Sequence, residues 1–77
     1  MSTFDLVDLG SGKHLGIYTS EQTALREVWE IVQVRGDDAA AHLRLQFQDD
    51  LGQRRIIAEG AMLAKRARLA NPPRDQG

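Results

Sequence analysis

The chain has no cysteine among its 77 residues. That excludes a disulfide framework, a thiolate metal site and a cysteine nucleophile. Aromatic residues are few: Phe4, Tyr18, Trp29 and Phe47. None lies beside the main run of basic residues, so no base-stacking platform is indicated. No apolar run approaches the length of a membrane span. The first residues, Met1-Ser2-Thr3-Phe4-Asp5, lack the basic and apolar regions of a signal peptide, and the expectation is a cytoplasmic protein with no membrane contact. The two histidines, His14 and His42, are far apart, and neither has a metal-ligand partner three or four residues on.

What remains is an ordinary folding composition, 42% hydrophobic and 27% charged. It is too apolar for a disordered chain. The length fits one domain, expected over residues 1–71, with residues 72–77 as a flexible tail. So small a chain buries a modest share of its surface, and its stability is expected to be marginal unless it self-associates.

Residues Leu43 to Ala70 carry the clearest pattern. Leu43, Leu45 and Phe47 alternate with Arg44, Gln46 and Gln48, which predicts a strand with one dry and one wet face. Asp49-Asp50-Leu51-Gly52-Gln53 is a hairpin connection, and Arg54 to Ala58 is the return strand. Its adjacent isoleucines, Ile56 and Ile57, leave the inward register open. Glu59 opens a helix, where an acid suits the positive end of the dipole. Ala61, Met62, Leu63, Ala64, Ala67 and Leu69 give this helix an apolar side of mostly small residues. Lys65, Arg66 and Arg68 supply its polar side, and Asn71 before Pro72-Pro73 stops it.

Upstream, Phe4 to Leu9 reads as a first strand and Gly10 to Lys13 as a turn. His14 to Tyr18 is the return, with Leu15 and Ile17 on one face. Gly10-Ser11-Gly12 lacks the ending of a phosphate loop and leads into no helix. Thr19 with Gln22 fits a capping box, with Ser20 as the alternative cap. The helix runs to about Arg35, burying Ala24, Leu25, Val28, Trp29, Ile31 and Val32, and Gly36 ends it. Trp29 is expected to anchor it on the sheet. Asp37 or Asp38 can cap a single helical turn through the alanines that follow.

The element order is ββαββα. A right-handed crossover over the first strand gives an α+β fold, a four-stranded antiparallel sheet in the order 2-1-3-4. One helix packs on a face of it, and a basic helix closes the chain, beside the first helix or on a second subunit.

The pattern Asp5-Leu6-Val7-Asp8, Ser11-Gly12, Leu15-Gly16, Thr19 to Leu25, Gly36, Leu43 to Leu45, Ile57-Ala58-Glu59-Gly60 and Leu63-Ala64-Lys65-Arg66-Ala67 resembles a group of small uncharacterised bacterial proteins. The resemblance implies a compact unit with no assigned activity and transfers no site residue. Where that group often has proline after the glycine, this chain has Asp37-Asp38.

Charge is unevenly placed. Residues 1–50 have four basic and nine acidic side chains, and residues 51–77 six basic and two acidic. This polarity can steer partners, or it can simply neutralise itself within the fold or across a dimer. Catalysis, a cofactor and a small-molecule substrate are not expected, because no nucleophile or base is identifiable and so short a chain has little room for a pocket. The reading is a non-enzymatic protein–protein interaction module, self-associating or part of a larger assembly. The alternative is nucleic-acid binding or an antitoxin-like regulator. The module reading rests on size, the opposed charges and the small residues Ala61, Ala64 and Ala67, which permit close helix approach; the candidate interaction surface, and the one nucleic acid would use, is Arg54, Arg55, Lys65, Arg66 and Arg68.

Overall fold

The computed structural model describes residues 2–71, so the tail expected over residues 72–77 lies outside the described residues. The chain forms β1 (Thr3–Asp8), β2 (Lys13–Tyr18), α1 (Glu21–Arg35), α2 (Asp37–Ala40), β3 (Leu43–Gln48), β4 (Arg54–Glu59) and α3 (Gly60–Ala70). The strands build one sheet in the order β2-β1-β3-β4, and each neighbouring pair is antiparallel. The 2-1-3-4 order expected from the element sequence is therefore the order found.

The core sits on one side of this sheet. Leu6 and Leu45 are direct cross-strand partners, and both are fully buried. They join Ala24, Leu25, Val28 and Val32 of α1 and Leu63 and Ala67 of α3 in one apolar cluster. Trp29 packs at its margin, half-buried, while Val28 takes the fully buried place. A large indole is rarely buried whole, so the small helix residues are the ones that let α1 approach. On the same sheet face, Phe4 and Phe47 pair across strands with ring centroids 5.1 Å apart and planes tilted by 51°.

The start of α1 uses the alternative cap. Ser20, not Thr19, caps α1: its backbone is extended, and its hydroxyl accepts the Thr23 N–H at 3.2 Å. Gly36 has φ +90°, donates its N–H to the Val32 carbonyl, and is also the residue before α2. The N-cap position of α2 is this glycine, which has no side chain to cap with.

Helix α3 lies beside α1. Arg66 Nη1 is 2.8 Å from Glu21 Oε2, and the Asn71 amide donates to the carbonyls of Ala67 and Leu25. No linker separates β4 from α3. Glu59 is the last extended residue, and Gly60 turns the corner with φ +61°. Left-handed backbone of this kind suits glycine, because a Cβ would crowd the carbonyl. Glu59 therefore does not sit in the first turn of the helix. Its carboxylate instead accepts from Arg44 Nε at 2.7 Å, across the β3–β4 pair.

Both outer strands carry a bulge. On β2, Gly16 pairs with Leu6 and His14 with Val7, leaving Leu15 as the extra residue. On β4, Ala58 pairs with Leu45 and Ile56 with Gln46, leaving Ile57 extra. Bulges on edge strands twist the edge away from further pairing. They also reassign side chains. Leu15 borders α1, whereas Ile17 shares a row with Asp5 on the opposite face. The expectation that Leu15 and Ile17 share a face is corrected by this one inserted residue.

Candidate functional site on the uncovered face of the sheet

Cross-strand partners lie on the same face of a sheet, so the pairing register spells out the side away from the helices. One row across all four strands is Ile17, Asp5, Gln46 and Ile56. The adjacent row is His14, Val7, Arg44 and Glu59, and a third holds Thr3, Gln48 and Arg54. Ile17 is 65% exposed and Ile56 51% exposed, although both are large and apolar. Three strand spacings separate them, ~14 Å.

The middle of this face is drier than its edges. Asp5 is 7% exposed and Val7 8%, on an inner strand with neighbours on both sides. Residues Asp5, Leu6 and Val7 are thus buried in succession, which breaks the period of two expected of a strand with one wet face. The Oδ1 atom of Asp5 is buried with no hydrogen-bond partner among the described residues. A buried polar atom without a partner is rare and calls for an explanation. Beside it, the Arg44–Glu59 pair spans the β3–β4 half of the face, its side chains about one-third and one-half exposed.

The helix side carries a groove of about 560 Å³ bounded by Asp8, Leu15, Glu30, Val34 and His42. That is more room than the chain length led one to expect. Of its acids, Asp8 has another duty. Asp8 accepts from the Gly10 N–H at 3.0 Å and from the Ser11 hydroxyl at 3.1 Å, closing the β1–β2 turn. Those two bonds hold its carboxyl below the ordinary value. Tyr18, on the same face, has its phenol raised by burial and then by Glu27. No group of three or more His, Asp or Glu side chains among the described residues could hold a metal.

The five basic residues singled out in the sequence fall in several places. Arg54 and Arg55 are successive strand residues and point to opposite faces: Arg54 pairs with Gln48 on the open side, Arg55 with Phe47 on the helix side. Arg66 is held by Glu21. Lys65 and Arg68 flank a depression shared with Asp38, Ala41, Ala61 and Ala64. The sheet stands between Arg54 and the α3 residues.

Ile17, Ile56, Asp5 and Gln46 were not singled out by sequence. Their meeting depends on the two bulges and on the β1–β3 register, which joins residues as distant as Phe4 and Phe47. The available signal was Asp5, an acid inside an apolar strand. No family model matches this chain, and no curated protein or solved structure matches it. No helix among the described residues is long and apolar enough to cross a membrane.

Proposed function

We propose that this chain is a non-enzymatic interaction module, and that its working surface is the open face of the sheet. The observation that carries this reading is Asp5, whose buried Oδ1 has no partner among the described residues, in a row edged by two exposed isoleucines. Such a face is costly in an isolated monomer. Large apolar side chains stay in water, and a buried acceptor goes unused. A protein partner laid on the sheet relieves both at once. The α1 and α3 surfaces offer no comparable pairing of a dry polar centre with an apolar rim.

A photoreactive amino acid placed at position 17 or 56, in cells producing the protein, tests this. Position 51 is the control, because Leu51 is also exposed but lies in the β3–β4 turn. Adducts with protein from positions 17 and 56, absent from 51, support the reading. Equal or no adducts at the three positions refute it.

A further inference from the structure

We propose that the occupant of the open face is a second copy of this chain, related by a two-fold axis that runs parallel to the strands between β1 and β3. This rests on the reading of that face as a docking surface, and it specifies both partner and register. A rotation about that axis turns the second sheet over and reverses its strand order. The β2 strand of one copy then faces β4 of the other, and β1 faces β3, with the rows kept level.

The rows are complementary to their own reversal. Ile17 faces Ile56 of the second copy, and Ile56 faces Ile17, so the exposed apolar residues cover each other at both edges. Asp5 faces Gln46 of the second copy. A carboxamide can donate to a carboxylate, and Asp5 is the group on this face with an unused acceptor. In the next row His14 faces Glu59, an imidazole N–H donor against an acceptor carboxylate, and Val7 faces the aliphatic stem of Arg44. Stacked sheets keep their strands within about 30° of each other, which preserves these pairings best at the centre.

The other face-to-face two-fold lies across the strands and keeps their order. Placed on the first row, it sets Asp5 directly against Asp5. Two like charges in a dry centre cost more than a carboxylate facing an amide. Placed between the rows, it sets Asp5 on Val7 and Ile56 on Glu59, and the isoleucines lose their apolar partners. The reversed order is the one that satisfies each row.

Four strands of six residues present a footprint of ~400 Å² on each copy, ~800 Å² in all. That is below the usual range for a stable interface and falls in the weak, transient class, so the dimer forms and dissociates readily.

The absence of cysteine makes the test clean, because every thiol is an introduced one. Ile17→Cys and Ile56→Cys are made as separate single variants, and native-like circular dichroism is required of each. Each is treated with a short bis-maleimide alone, and then the two are mixed. Sedimentation of the unmodified chain is followed from roughly 10 μM to 1 mM, the range suited to an interface of this size. The expected result is a rising mass and a cross-linked dimer from the mixture only. A cross-link from either variant alone overturns the reversed order. A monomer at every concentration, with no cross-link, overturns the second copy as occupant. If positions 17 and 56 still capture a different protein in cells, the docking-surface reading survives while this inference falls.

Discussion

Replacing Asp5 with valine should make the isolated protein more stable and its self-association weaker. Asp5 is nine-tenths buried and its Oδ1 has no partner among the described residues. An unmet buried acceptor costs about 1–3 kcal/mol, more when the group is charged. Valine is close in size, favours strands and has no polar atom to desolvate. Apolar replacement of buried charge is often stabilising by a similar amount. Taking a gain of about 2 kcal/mol, the melting temperature of a domain this size should rise by roughly 8–16 °C. Urea unfolding at about 10 μM reads the monomer, and an unchanged slope with a higher midpoint marks a stability change. In the proposed dimer, valine faces Gln46 of the second copy and offers it no acceptor, so the dissociation constant should increase. A midpoint that falls by the equivalent of 1 kcal/mol or more would refute the reasoning, because it would mean that the carboxylate is well satisfied in the monomer. A matched asparagine variant separates charge from hydrogen bonding. It should lie between the two in stability.

Gly60→Ala should cost about 1–2 kcal/mol in chemical denaturation, the penalty for an L residue in left-handed backbone. A Cβ there meets only the Ala41 carbonyl oxygen, at an ordinary 3.7 Å, so the cost lies in the backbone rather than in crowding. Gly60→Asn should be milder, because asparagine tolerates that conformation. Leu45→Ala should cost about 2–5 kcal/mol in the same measurement, whereas Leu51→Ala, at an exposed turn, should stay within about 0.5 kcal/mol of the parent. The Asp8 carboxyl, followed by NMR through acid titration, should titrate below its ordinary 3.8 because Gly10 and Ser11 bond to the ionised form. A lowered folded pKa means that its contribution to stability is present above the unfolded value and is lost as pH falls through the folded one. Ser11→Ala should move that midpoint back up.

The parts legible in sequence were those with strong local periodicity. The alternation of Leu43, Leu45 and Phe47 placed the helix-facing side of β3, and the helical spacing of Leu25, Val28 and Val32 placed the face of α1. The sheet order followed from connection geometry alone. The open face was not legible, for two physical reasons. A bulge adds one residue, so alternation read along β2 puts Leu15 with Ile17, although the sheet separates them. The neighbours of Asp5 come from three strands, and no local pattern announces that a short acid will be enclosed by them. The basic residues are spread more widely than their closeness in sequence implies: strand alternation divides Arg54 from Arg55, and Arg66 pairs with Glu21.

The pairing of β1 with β3 has a consequence for how the chain is made. Each outer ladder closes within its own hairpin, a local event on the microsecond scale. The central ladder joins residues 43 positions apart, Phe4 with Phe47, and must await α1 and α2. Until β3 is made, the inner edge of β1 has no strand to take its hydrogen-bonding groups. The bulges lie on β2 and β4, at the outer edges of the finished sheet, and not on this inner seam. An open strand edge of that kind is where hairpin exchange between chains can begin.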